Sequence, residues 1–449
     1  MSGAYELAFR HLLFPAYESG LRRRRTLTYL REYERNQWLA PEQLEALQWS
    51  KLQQLIEYCW HHVPYYQAKW RPLGVAGPQD VRTRADYARL PPLTKPEIRA
   101  HFDQLIAPAH RERMLYKTTG GSTGEPLRFG YTRESYERRV AVMHRGYGWA
   151  GARMGQRTLY LWGLPERPTR KDRLYHLAYN RRMLNAFDMN EQTMGPYADT
   201  FARFRPQTVV GYVAPLVRMA EWLLEHGRQL PAPERVLTAA EALHAPQRQL
   251  IERVFGCPVF DTYGCREFML IAAECEHQGL HTTSDHLLVE LGASVDGSDD
   301  GPHELIVTDL HNCGMPLLRY LNGDLARTGQ GRCACGRGLP LLGGIEGRKL
   351  DALRSADGRF VPGEHVVYAF LGAKGVRRYQ AVQRTLDRVE VSIVRDDDFD
   401  ADSVEHARDV LQKALGPATT LAFAYTDEIP LTATGKHRVT VSELDSSFA

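Results

Sequence analysis

Between Thr158 and Tyr263, short apolar runs alternate with segments of helical spacing, and this alternation restricts the fold more than any other feature of the chain. Thr158–Trp162, residues 209–212, residues 236–240 and Val259–Tyr263 read as buried strands. Leu216, Met219, Ala220 and Leu223 mark a helix over residues 215–225, and residues 246–255 form another. Strands separated by helices build layered bodies whose sheet is partly parallel, because a parallel pair needs a crossover. The expected fold class is α/β: a large layered N-terminal body with mixed sheets and helices. A chain of 449 residues, 43% of them hydrophobic, can bury a core of that size.

The two ends have different textures. Residues 1–70 read as a helical leader; after Pro41, which suits a first helical turn, Leu44, Leu47, Leu52, Leu55 and Ile56 approximate a buried stripe. The five-residue step from Leu47 to Leu52 breaks its regularity. Tyr58, Trp60, Tyr65, Tyr66 and Trp70 either pack this segment on the body or rim a pocket, and packing is the simpler role. Beyond Gly347, residues 379–385 and 388–394 are strand-like, residues 403–415 form an amphipathic helix and residues 421–425 a strand. That order predicts a small α+β C-terminal domain, with the body over residues 1–348 and the second domain over residues 349–449.

Composition excludes several classes. A net charge of +3 gives no reason to expect a nucleic-acid partner. No apolar run approaches the length that crosses a bilayer, and no secretory h-region opens the chain, so no membrane partner is expected. Seven cysteines in so long a chain do not suggest a disulfide framework, which points to a reducing, cytoplasmic location. A homodimer is compatible with the chain, although no stretch specifies an interface.

Five segments carry candidate chemistry. Thr118, Thr119, Gly120, Gly121, Ser122, Thr123 and Gly124 place three glycines among four hydroxyl side chains between two extended segments. Such a turn can aim backbone N–H groups and hydroxyls at a phosphate, although without a lysine it also suits a polar hairpin. Tyr263-Gly264-Cys265-Arg266-Glu267 ends a strand; Tyr263 can lie against a planar group, and Glu267 can hold Mg²⁺ beside phosphates or simply start a helix. Tyr320-Leu321-Asn322-Gly323-Asp324 reads as an acidic loop whose Asp324 suits a ribose diol or an ordinary turn. In Gly347-Arg348-Lys349-Leu350-Asp351, Arg348 is a candidate nucleotide contact and Asp351 a candidate hinge, a charged linker being the alternative. Lys436, on the glycine-containing loop after Pro430, can reach an active site or stand on the surface.

Cysteine chemistry is separate. Cys275, His281, Cys333 and Cys335 form a Cys₃His set suited to tetrahedral Zn²⁺, and four protein ligands make a structural role. Cys257, Cys265, His277 and Cys313 are poorer substitutes.

Taken in order, these segments resemble the adenylate-forming enzyme superfamily, and more closely its phenylacetate–coenzyme A ligase branch, from about residue 90 to 440. The resemblance implies that Thr118–Gly124 is a phosphate loop, Ala240-Glu241 a turn bordering adenine and Tyr263–Glu267 the Tyr-Gly-x-x-Glu motif. It makes Asp324 and Arg348 ribose contacts, Asp351 the hinge of a mobile C-terminal domain and Lys436 the lysine of adenylation. The cysteine–histidine set is similar to a metal site found in part of this branch. The implied reaction is ATP-dependent activation of an aryl or other hydrophobic carboxylic acid through acyl-AMP, with Mg²⁺, followed by transfer to coenzyme A. A carrier-protein thiol or an amine is an alternative acceptor, and an inactive scaffold retaining the fold is a different class of answer. A non-nucleotide zinc enzyme would need an open metal position. Leu127, Asn322 and the segment after Asp351 depart from the wider superfamily's pattern. Tyr136, Trp162, Tyr212 and Phe260 suit either an acid pocket or the core, and Arg138, Arg139, Arg181 and Arg182 read as exposed charge.

Overall fold

A computed structural model describes residues 2–119, 127–163, 169–298, 300–348, 352–361, 363–370, 373–396, 399–431 and 437–444. Strands β1 (Leu115–Thr118) and β2 (Arg128–Tyr131) form an antiparallel hairpin in which Thr118 opposes Arg128. The strands β3 (Thr158–Trp162), β4 (Arg181–Asn185), β5 (Thr208–Tyr212), β6 (Arg235–Ala239) and β7 (Val259–Tyr263) run parallel in the order β4-β3-β5-β6-β7. Helices Val213–Glu225 and Ala245–Phe255 make the crossovers expected between β5, β6 and β7. Strand β4 is a departure from expectation. It is an edge strand, and edges tolerate charges such as the exposed Arg182 that argue against a buried strand; Arg181, expected to be exposed, is instead partly buried against Tyr160 and Tyr179.

Direction reverses after β7. The strands β8 (Ala272–Glu274), β9 (Leu280–Thr282), β10 (Leu287–Ser294), β11 (His303–Asp309), β12 (Tyr320–Thr328) and β13 (Leu341–Arg348) pair antiparallel and complete an eleven-stranded sheet among the described residues. The seam is narrow: Thr262 opposes Ala273 and Tyr263 opposes Ala272. Asn322-Gly323, expected in a loop, lies inside β12. Gly323 takes a φ of 88°, and the β11–β12 ladder steps from Ile306 opposite Leu321 to Glu304 opposite Leu325, so a bulge over Asn322–Asp324 absorbs what resembles a turn.

Helix Arg133–Trp149 starts where expected, Thr132 Oγ1 accepting from the Ser135 N–H at 3.1 Å. It is clamped to the antiparallel half by two buried ion pairs, Arg139 to Asp309 at 2.7 Å and Arg145 to Asp285 at 2.7 and 2.9 Å. Arg139 is therefore not the exposed charge that its neighbours suggest.

In the leader, helix Pro41–His62 buries Leu44, Leu52, Leu55 and Ile56. The break in the stripe is filled by Gln48, also buried, whose Nε2 donates to the carbonyls of Ser284 at 2.8 Å and Leu287 at 2.9 Å. Gln48→Leu strands both acceptors and is expected to cost roughly 2 kcal/mol, read as a lower urea midpoint. Trp60, Tyr65, Tyr66 and Trp70 are buried, so packing is their role. Among the described residues no helix is long and apolar enough to cross a membrane.

Past β13, the pair β14 (Leu353–Arg354) and β15 (Phe360–Val361) leads into a four-stranded sheet. Its strands are β16 (Val376–Thr385), β17 (Arg388–Arg395), β18 (Thr420–Tyr425) and β19 (Thr440–Ser442), in the order β18-β17-β16-β19. Helix Ala401–Leu415 contributes Val404, Ala407 and Leu411 to an apolar cluster with Val389, Val391 and Ile393.

Candidate active site and metal centre

The hairpin β1–β2 closes the foot of the glycine loop. Thr119 N–H donates to the Leu127 carbonyl at 2.8 Å, and Leu127 N–H donates to Thr119 Oγ1 at 2.8 Å. Gly120, Gly121, Ser122, Thr123 and Gly124 lie outside the described residues. Arg266 Nη1 donates to the Thr118 carbonyl at 2.8 Å, which ties the turn after β7 to the loop foot across 148 residues of sequence. No periodicity could have paired these two positions. The only signal was a cation inside the Tyr-Gly-Cys-Arg-Glu run.

At the end of β7 the chain turns sharply. A Cβ on Gly264 would stand 1.8 Å from the Met269 carbonyl oxygen, so only glycine fits. Tyr263 then points its hydroxyl at Asp324, donating to Oδ2 at 2.6 Å. Asn322 Nδ2 donates to the Tyr263 oxygen at 2.7 Å and to Asp324 Oδ2 at 3.0 Å, while Asp324 N–H donates to Asn322 Oδ1 at 3.0 Å. Arg348, the last residue of β13, opposes Asp324 in the ladder and brings Nε to 3.4 Å from Oδ1. Asn322, which departs from the pattern the sequence resembles, is thus the residue that aligns the acid and the tyrosine.

Electrostatics keep Tyr263 and its neighbour Cys265 protonated. Burial, reinforced by the charge of Asp324, holds the Tyr263 phenol well above its usual range, so it remains a donor. Burial, followed by the charges of Glu267 and Asp324, does the same to the Cys265 thiol and removes it as a nucleophile. Glu267 is buried, and its Oε1 accepts from the Tyr320 hydroxyl at 2.9 Å. Just past the neighbouring strand β6, Ala240 adopts a φ of 70°, and Glu241 Oε2 accepts from Ala214 N–H at 2.7 Å in the first turn of helix Val213–Glu225.

Trp162 and Tyr212, at the C-terminal ends of adjacent parallel strands, stand 4.4 Å apart between ring centres. Phe260 joins Val210 and Leu237 in a core cluster on which Trp162 and Tyr160 also pack, and Tyr136 stacks on Tyr131 at 6.0 Å. The metal-type ligands of Cys275, His281, Cys333 and Cys335 all lie within 4.8 Å of one another. Cys275 Sγ is 3.5 Å from Cys333 Sγ, and Cys335 Sγ is 3.2 Å from His281 Nε2. The other imidazole nitrogen, Nδ1, donates to the Leu339 carbonyl at 2.9 Å and leaves Nε2 as the lone-pair nitrogen facing the sulfurs. Donor chemistry and clustering therefore fit a tetrahedral zinc ion. Lys436 and Asp351 lie outside the described residues.

Residues 353–443 match the family model described as the CapK C-terminal domain. Protein CapK of Staphylococcus aureus is 25% identical over 377 residues, 81% of each chain. A phenylacetate-coenzyme A ligase of Thermus thermophilus is 28% identical over 385 residues, 79% of this chain and 82% of its own. Among solved structures, 2-hydroxyisobutyryl-CoA ligase in the postadenylation state with R3-HIB-AMP superposes with a TM-score of 0.72 at 19% identity, covering 92% of both chains.

Proposed function

The chain belongs to the adenylate-forming superfamily, in its phenylacetate–coenzyme A ligase-like branch, and on that premise we propose that it activates a carboxylic acid with ATP and passes the acyl group to coenzyme A. It is an AMP-forming acid ligase. The observation that carries this reading is convergence: Arg266 bonds Thr118, Tyr263 bonds Asp324 and Arg348 pairs with Asp324, so the short turn that holds Tyr263 and Arg266 brings distant parts of the chain together.

In the first step a carboxylate oxygen attacks the α-phosphorus of ATP, giving acyl-AMP and releasing pyrophosphate. The loop over Thr118, Thr119 and residues 120–124 holds the outgoing phosphates, while Asp324 and Arg348 hold the ribose. Ala240-Glu241 borders the adenine. Glu267 is the residue that would hold Mg²⁺, which when bound neutralises phosphate charge. Lys436 opposes the charge that grows between carboxylate and phosphate. Residues 349–449 then turn about Asp351, and the coenzyme A thiol attacks the acyl carbon, expelling AMP and leaving a thioester. An aryl or otherwise hydrophobic acid suits the Trp162–Tyr212 face. ATP supply and seven cysteines without a disulfide among them suit the cytoplasm.

The test is acid-dependent pyrophosphate release over a panel of aryl and alkyl acids, with mass identification of the product. A coenzyme A ester is expected. Pyrophosphate release with only a carrier-bound or amide product rejects coenzyme A as acceptor, and no release with any acid favours the inactive scaffold. Asp324→Asn keeps the shape but loses the charge, and is expected to raise KM for ATP roughly 10- to 100-fold.

A further inference from the structure

The buried arginines of the body have carboxylate partners: Arg139 meets Asp309, Arg145 meets Asp285 and Arg319 meets Glu290. Arg181 does not. It is partly buried at the start of β4, and among the described residues its guanidinium pairs with no carboxylate, lying amid the phenols of Tyr147, Tyr160, Tyr175 and Tyr179. It stands 5.3 Å from the Tyr160 ring centre and 4.6 Å from that of Tyr179. A cation withdrawn from water without a counter-ion is costly, and phenol faces return only part of that cost.

The position of Arg181 explains what an acceptor there would do. In the parallel ladder Arg181 pairs with Thr158, Met183 with Tyr160 and Asn185 with Trp162, so Arg181, Tyr160 and Trp162 share one face of the sheet. Tyr160 and Trp162 are 6.4 Å apart and Trp162 lies 4.4 Å from Tyr212, which makes a continuous aromatic track. At its upper end Tyr212 feels the charges of Glu241 and Arg266, the residues of the adenine turn and the loop foot. At its lower end the Arg181 guanidinium sits level with Tyr160, two residues or roughly 7 Å below Trp162. That depth matches a benzene ring with a substituent opposite its carboxylate. The nearby His144, brought down to about 3 by burial and the charge of Arg181, stays neutral and supplies no counter-charge.

Resting on the adenylation reading above, we propose that Arg181 is the specificity residue for the far end of the acid. The preferred substrate is an aromatic acid whose ring carries an oxygen acceptor, a carboxylate or a hydroxyl, distal to the carboxylate that becomes adenylated. Its reacting end lies beside Trp162 and Tyr212, and its distal oxygen receives the fork of guanidinium N–H groups.

The experiment compares benzoate, 4-hydroxybenzoate and terephthalate in the full chain and in Arg181→Met and Arg181→Lys. It measures both calorimetric binding and kcat/KM for pyrophosphate release. In the wild type the better of the two substituted acids is expected to exceed benzoate roughly 10- to 100-fold by both readouts; which one leads tells carboxylate from hydroxyl. Arg181→Met is expected to bring that ratio to within about 3-fold of one, and Arg181→Lys to lower it about 10-fold by losing the planar fork. A wild-type ratio near one overturns the proposal, as does an unchanged ratio in Arg181→Met or, should that variant not fold, in Arg181→Lys. If acids bind with the expected ratios but no pyrophosphate appears, adenylation fails while the role of Arg181 in binding stands. If no acid binds, the assignment of Arg181 is overturned as well.

Discussion

Removal of zinc from Cys275, His281, Cys333 and Cys335 is expected to cost the protein about 4 kcal/mol of stability. The ion would join segments far apart in the chain, Cys275 to Cys333 across 58 residues, and a cross-link closing a loop of that length restricts the unfolded ensemble by on the order of 4 kcal/mol. Cys275 follows β8, His281 lies in β9, and Cys333 and Cys335 stand between β12 and β13, so the ion would staple connections of the antiparallel half. Trp149 meets the His281 ring edge-on at 5.7 Å, which extends the staple to the end of helix Arg133–Trp149. Elemental analysis of the purified chain is expected to find about one zinc per molecule, and chelation to lower the melting temperature, as Cys335→Ser should. Cys257→Ser, outside the cluster, is the control. Binding should weaken as pH falls, because the thiols must lose their protons and burial pushes Cys275 up to about 12 in the metal-free protein. A chain that melts identically with and without chelator, and carries no metal, would leave these four residues as a thiol cluster alone.

Lys436→Ala is expected to lower acid-dependent ATP–pyrophosphate exchange roughly 10²–10³-fold while changing nucleotide affinity little. The asymmetry follows from the role. A lysine that meets charge only as it develops between carboxylate and α-phosphate contributes to the barrier and hardly to ground-state binding. On the proposed rotation about Asp351, which withdraws the lysine before the thiol attacks, thioester formation from preformed acyl-AMP should proceed in the variant at close to the wild-type rate. Equal exchange by the two proteins removes Lys436 from the mechanism, and equal loss in both half-reactions recasts it as a binding residue.

Much of the architecture was legible one segment at a time. Strands β3, β5, β6 and β7 are short apolar runs, and the Thr132 cap and the helix after it follow from local chemistry. What escaped has a common cause. Arg181-Arg182 conceals an edge strand because an edge tolerates charge, and Asn322-Gly323 conceals a bulged strand because the same residues make turns. Gln48 filled the gap in the leader's stripe because two carbonyls of a distant segment needed a donor. The site divides in the same way. Residue types suited to phosphate, ribose and zinc could be named from local composition and resemblance. Yet the bond from Tyr263 to Asp324 spans 61 residues, and nothing periodic pairs the two. Asn322, Tyr320 and Arg266, which orient the others, show their work only in three dimensions.

The reversal of strand direction after Tyr263 has an evolutionary corollary. The parallel half, with Trp162, Tyr160 and Arg181, meets the antiparallel half of the sheet through one ladder of two opposed pairs. Tyr263, Glu267 and Asp324 gather at or beyond that border. A chimaera carrying another such ligase's residues 158–212, which leaves the Ala240-Glu241 turn in place, should therefore change its appetite for acids and keep its grip on ATP. Fuel and feedstock, on this plan, can diverge independently.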